Sequence, residues 1–305
     1  MKDVKPVKAG WYNAFRPWTL HGAIIPVLIG GAVAYHDGFF NAWILILILI
    51  GGCLLQSAAN LLNTYGDFEK GTDTVENRHR SPELVTGALK PKEVLFAGLA
   101  CLGITALIGL VLIWYSGWGI LIFGIIGIVG AGTYTVGMSY KYHGLGLISV
   151  FFLMGMLMPA GTYYVLAGTL TWEIVLISLP NAFLITAVLS GNETRDYYED
   201  KKANVGTLSG KLDYKGSMNL YRALNIIAFP LIVILVIFGI IPWASLLALV
   251  ALYDLKLLME NSKHAHEDKM SNIRLVPLSF KLNWHFGLLL TVGYLIGHYA
   301  IPVIL

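Results

Sequence analysis

The chain has 305 residues, of which 56% are apolar and only 13% charged. Counted with Gly in place of Tyr, the apolar share is about 62%, against 45–50% for globular chains, and the charged share is about half the usual one. Too little charge remains to cover soluble domains, so lipid is the solvent for most of the chain. A net charge of +3, gathered in clusters between apolar runs, excludes a uniformly basic nucleic-acid binder.

In chain order, nine apolar stretches are long enough to cross a bilayer: 17–36, 42–64, 93–115, 118–138, 145–167, 172–192, 219–240, 242–260 and 283–305. The basic segment ahead of the first one resembles a signal peptide, but the run is too long and has no small-x-small cleavage site, so it reads as the first span. The expected fold is therefore all-α and polytopic, one integral-membrane domain over 1–305. Cys53 and Cys101 lie inside apolar runs, which suggests neither a disulfide framework nor a thiolate metal site.

Nine spans put the loops at 64–93, 138–145, 192–219 and 260–283 on the side of the N-terminus, together with all 21 Lys and Arg. Lys and Arg mark the cytoplasmic side, so these loops are expected in the cytoplasm of a cell with this chain in its plasma membrane. Gly124, Gly127 and Gly130 recur every third residue on the fourth span and suit close helix packing. Walker, dinucleotide-turn and His-Glu-x-x-His motifs are absent from the sequence.

The second span ends in Gln56, Asn60, Asn63 and Asp67, spaced 4, 3 and 4, which places all four on one helical face. Asp73 follows in the loop. The sixth span ends in Asn192, Asp196 and Asp200, stepping by four along one face. Both clusters read Asn-x-x-x-Asp at the same membrane depth, four spans apart, which suggests two related four-helix halves plus a ninth helix. Acids and amides at the ends of apolar spans are costly against lipid. Their oxygens are hard ligands suited to Mg²⁺, which completes its shell with water and phosphate oxygens. Four aspartates and a diphosphate ester outweigh two Mg²⁺ in charge, so cations are expected nearby: Arg78, Arg80, Lys141, Arg195, Lys201 and Lys202. Lys263, His264 and His266 read as a solvated connection.

These residues resemble the UbiA-type membrane prenyltransferase superfamily, with its Asn/Asp motif after the second helix and its Asp-x-x-x-Asp motif after the sixth. The resemblance covers nearly the whole chain. Within it, the 1,4-dihydroxy-2-naphthoate polyprenyltransferase branch is matched by Arg16-Pro17-Trp18-Thr19-Leu20, Asn63-Thr64-Tyr65-Gly66-Asp67, Lys70-Gly71-Thr72-Asp73, Tyr134-Thr135, Tyr140-Lys141-Tyr142 and Arg195-Asp196 leading to Asp200. Thr64, Met138 and Asn204-Val205 depart from that branch, and Lys201 or Lys202 stands in for a lysine missing at Val205.

The resemblance implies transfer of a polyprenyl group from its diphosphate to dihydroxynaphthoate with loss of CO₂, at a site on the cytoplasmic mouth. Asp67, Asp73, Asp196 and Asp200, with Asn63 and Asn192, would hold two Mg²⁺; Arg78, Arg80, Lys141 and Arg195 would bind the diphosphate. Asp67, Asp196, Asp200 and Lys141 would carry the catalysis, while Tyr65, Tyr134 and Tyr140 would line the cation or acceptor pocket. His21 would pack or touch the acceptor, and Asp254 would support the site or take a structural role assisted by Lys256. Other acceptors, such as 4-hydroxybenzoate, homogentisate or a lipid alcohol, remain alternatives. A secondary transporter is a further one, but it would place ionisable residues near the bilayer midplane rather than at one face.

Overall fold

The computed structural model describes residues 9–73 and 81–300 and is all-helical over them. A five-residue helix, Trp11–Phe15, ends at Arg16, whose left-handed backbone (φ 50°) turns the chain into α1, His21–His36. There follow α2 (Ala42–Glu69), α3 (Pro91–Ser116), α4 (Ile120–Thr133), α5 (Gly146–Ala167), α6 (Trp172–Arg195), α7 (Tyr214–Ile237), α8 (Leu252–His264) and α9 (Lys269–Ala300). Local chemistry sets several starts. The Asn41 side chain accepts hydrogen bonds from the backbone N–H of Trp43 and Ile44 at 3.1 and 3.2 Å, Asp213 does so from Gly216, and Pro91 occupies the first turn of α3.

Among the described residues, seven helical segments are long and apolar enough to cross a bilayer: Trp11–His36, α2, α3, α5, α6, α7 and α9. By length and composition this counts seven of the nine spans expected from sequence and leaves out the fourth and the eighth. At 14 residues α4 spans about 21 Å, short of the roughly 30 Å hydrocarbon layer. The predicted eighth span divides into a 3-10 stretch, Trp243–Ala251, and the polar helix α8.

The predicted loop 260–283 is largely the first part of α9. Lys281 therefore lies within a helix, where its ammonium meets Asp254 at 2.9 Å while His285 Nδ1 lies 2.6 Å from the other carboxylate oxygen. Asp254 thus ties α8 to α9 through Lys281 and His285, and not through its neighbour Lys256.

Helix α2 packs along α3, α6 along α7, and α9 against both α6 and the Trp243–Ala251 stretch, while α1 lies on α5, α2 and α9. The largest buried cluster runs through α1, α6, α7 and α9, with Tyr163, Tyr221, Phe286 and Tyr294 essentially solvent-free. In α5, the seven residues Phe151–Leu157 form a wide π turn just before Pro159. A wide turn of this kind recurs near functional sites, and here it carries Leu153 and Met154 to the wall of the main cavity.

Candidate active site

A cavity of about 270 Å³ opens at the end of the bundle where α2 and α6 finish. Its walls bring Asn63, Asp67 and Asp73 from one cluster together with Asn192, Asp196 and Asp200 from the other, residues more than a hundred positions apart in sequence. All four aspartates are buried.

Asp67 is bonded on several sides. Lys141, from the connection after α4, reaches its two oxygens at 2.9 and 2.8 Å and the amide oxygen of Asn63 at 3.0 Å. The Asn63 amide donates to Asp67 at 3.0 Å, Thr135 donates to Asn63 at 3.1 Å, and the Tyr142 hydroxyl donates to Asp67. Burial, reinforced by the Asp67 charge, pushes the Tyr142 hydroxyl far up, so it remains a donor at any physiological pH. On the opposite wall Arg195 grips its neighbour Asp196 through two 2.7 Å hydrogen bonds. Each cluster thus contains an aspartate held beside a cation.

A second cavity of about 350 Å³, almost entirely apolar, lies between α2, α3, α4 and α5. It shares Leu55, Gly127, Leu153 and Met158 with the first, so an apolar cavity adjoins the polar one across these residues. Gly130 lets α5 approach, since a β-carbon there would sit 2.5 Å from Leu153. With an acid-lined mouth, an adjoining apolar cavity and this helical order in place, the comparison with known proteins decides the lineage: residues 23–284 match the UbiA prenyltransferase family. The chain belongs to that family. It is a membrane prenyltransferase.

This UbiA-family chain is 30% identical over 289 residues to the 1,4-dihydroxy-2-naphthoate octaprenyltransferase of Bacillus subtilis (strain 168), covering 93% of this chain and 91% of that one. It is 31% identical over 275 residues to the enzyme of that name from Escherichia coli (strain K12), covering 88% of each. Among solved structures, the apo UbiA homolog from Aeropyrum pernix K1 superposes with a TM-score of 0.69 at 16% identity over 91% of this chain and 98% of that one. A UbiA homolog from Archaeoglobus fulgidus bound to DMAPP and Mg²⁺ gives 0.56 at 16% identity, over 92% and 99%.

The donor set in the prenyltransferase cavity is all hard oxygen, as Mg²⁺ requires. Among the described residues no three acidic, His or Cys side chains are grouped tightly enough to hold an ion by themselves.

Tyr134 and Tyr140 line the cavity, their rings 5.4 Å apart, and the Tyr140 hydroxyl donates to the Gly130 carbonyl at 2.6 Å. Tyr65 does not line it. Two residues after Asn63 it points to the other side of α2, where it packs on the cluster formed by Ala14, Leu61 and Leu84. Arg78 and Arg80 lie outside the described residues. The Lys201 ammonium bonds the Tyr197 hydroxyl at 2.6 Å, and neither Lys201 nor Lys202 lines the cavity.

His21 is buried against Phe280 with ring centroids 4.5 Å apart, and its Nδ1 bonds the Trp18 carbonyl at 2.9 Å. Sequence reasoning singled out neither Arg16 nor Glu193 as site residues, yet both line the cavity. Arg16 donates to Thr64 at 3.1 Å, and a Glu193 oxygen accepts from the Ser209 backbone at 3.0 Å. Glu193 stands in the second motif itself; its departure from the Asn/Asp register was the available signal.

Proposed function

We propose that this prenyltransferase transfers a polyprenyl group from its diphosphate to 1,4-dihydroxy-2-naphthoate, with loss of CO₂, at the cytoplasmic face of the plasma membrane. The observation that carries this reading is the meeting of both Asn/Asp clusters in one cavity, with an apolar cavity adjoining it. The naphthoate acceptor rests on the printed names of the bacterial relatives. Asp67, Asp73, Asp196 and Asp200, with Asn63 and Asn192, are the residues to hold two Mg²⁺. What bound Mg²⁺ supplies is charge neutralisation that makes diphosphate a better leaving group.

The chain's own residues do the rest. Lys141 and Arg195, each already placed beside an aspartate, turn toward the diphosphate oxygens as the acids engage the cation. Tyr134 and Tyr140 offer ring faces to the allylic cation that forms as the C1–O bond breaks. The shared apolar wall of Leu55, Gly127, Leu153 and Met158 guides the isoprenoid tail away from the mouth and keeps water from the cation. The acceptor carbon bearing the carboxylate forms the new bond to C1; the electron pair of its C–CO₂ bond returns to the ring as CO₂ departs.

Purified protein in detergent, offered radiolabelled polyprenyl diphosphate with dihydroxynaphthoate or 4-hydroxybenzoate, tests this directly. The expected result is prenylation of the naphthoate that needs Mg²⁺ and falls at least 100-fold in Asp67→Asn, Asp196→Asn and Lys141→Met. Reaction of another acceptor alone would overturn the naphthoate assignment.

A further inference from the structure

One polar side chain in the cavity has no part in the chemistry described above. Gln56 lies on the same face of α2 as Asn60, Asn63 and Asp67, eleven residues before Asp67 and so roughly 16 Å deeper along the helix axis. Ile185, eleven residues before Asp196 on α6, lies at about the same depth. At this end the wall is apolar: Ile185, Val188, Met154 and Phe280 form one cluster and all line the cavity together with Gln56.

The orientation of the Gln56 amide follows from its neighbours. Asn60 donates through Nδ2 to the Phe15 carbonyl at 3.0 Å and to the Thr19 hydroxyl oxygen at 2.8 Å. A carbonyl oxygen only accepts, and the Thr19 hydroxyl spends its proton on the Arg16 carbonyl at 2.8 Å. Asn60 therefore turns its oxygen toward Gln56, which meets it through Nε2 at 3.5 Å. That leaves the Gln56 carbonyl oxygen as an acceptor on a cavity wall whose other members include Ile185, Val188, Met154 and Phe280. An isoprenoid tail offers it no hydrogen bond, and covering an amide oxygen with such a tail costs free energy.

We propose that Gln56 is a specificity-determining residue that recognises the aromatic acceptor, its Oε1 taking a hydrogen bond from the ring hydroxyl remote from the carboxylate. The inference rests on the acceptor class given under the proposed function. With the diphosphate held at the level of Asp67 and Asp196, the ring lies between C1 of the donor and Gln56, and the amide sets how far it enters. Asn60 acts through Gln56 by fixing which end of that amide faces the ring.

The test compares wild type with Gln56→Met, which keeps the length and removes the polar end. Steady-state kinetics and quenching of intrinsic fluorescence are run with dihydroxynaphthoate and with 1-hydroxy-2-naphthoate, which lacks the remote hydroxyl. In wild type the dihydroxy compound is expected to have a KM and Kd at least ten-fold lower than its analogue. In the variant the two should become equal, with donor KM and thermal stability within two-fold and 2 °C of wild type. A variant that keeps wild-type discrimination, or loses donor and acceptor binding together, would overturn the role of Gln56 while leaving the naphthoate reading intact. Gln56-dependent preference for a different hydroxyarene, with no naphthoate turnover, would overturn that reading and support Gln56. If no hydroxyarene binds wild type, both fail.

Discussion

At the residue scale, Asp67 and Glu83 show two ways of keeping a carboxyl out of water. Asp67 has an ammonium, an amide and a phenol around it. Glu83, in the short turn Pro82–Val85, has no solvent exposure, and among the described residues no other side chain bonds its carboxyl oxygens. Burial pushes its carboxyl up, partly offset by the charge of Arg16 and reinforced by that of Asp73. The folded chain therefore holds this proton more tightly than the unfolded chain does, so the contribution of Glu83 to stability is present at acid pH and is lost as pH rises past the ordinary glutamate range. Glu83→Gln is accordingly expected to raise the thermal midpoint in detergent by a few degrees at pH 8, with the gain vanishing near pH 4. An equal midpoint for both proteins at pH 8 would show that Arg16 already compensates the charge. The two acids also differ in how readable they are. Asp67 stands in a spaced motif, whereas Glu83 sits in a stretch with no periodicity, and only the tertiary packing of the turn reveals that it is dry.

At the scale of elements, hydropathy finds helices and stops at their irregularities. The bounds of α2, α3, α5 and α6 follow the apolar runs closely, because a helix in lipid must satisfy its own backbone and so persists for the length of the run. The π turn of α5, the 3-10 start ahead of α8 and the long first part of α9 depend on neighbours and left no mark in composition. Asp254 illustrates the point, since its partners Lys281 and His285 lie on another helix and were invisible to spacing. The π turn brings Gly155 against α6 so closely that a β-carbon there would lie 2.4 Å from the Ala182 side chain and 2.6 Å from its backbone. Backbone cannot step aside as a flexible side chain can. Gly155→Val is expected to cost about 1–3 kcal/mol or more, seen as a lower thermal midpoint and faster aggregation in detergent. A β-carbon at Gly124 would meet nothing within 4 Å, and Gly124→Val is expected to be silent in the same assay, which separates helix contact from helix propensity.

For the molecule as a whole, the two ends of the bundle differ in charge. The turns at 37–41, 117–119, 168–171 and 238–242 contain no Lys or Arg. The other end carries Lys70, Lys141, Lys201 and Lys211 in the connections around the cavity mouth. This asymmetry was legible before any fold was known, because it depends only on which side of each span a charge falls. The pairing of Asp67 with Lys141 across 74 positions was not, because it depends on how α2 and the connection after α4 come together. The positive-inside rule assigns the cavity end to the cytoplasm, and a labelling experiment decides it. With Cys53 and Cys101 replaced by Ala, a single cysteine is placed at Lys263, whose side chain is 60% exposed near the end of α8, or at Trp118, 77% exposed in the opposite turn. A membrane-impermeant maleimide applied to intact bacterial cells expressing each variant should modify Trp118→Cys and spare Lys263→Cys; inverted vesicles should give the reverse. Labelling of Lys263→Cys from outside would turn the bundle over and put the acid-lined mouth at the outer face. Equal labelling of both variants in sealed intact cells would contradict a single orientation and the charge asymmetry on which it rests.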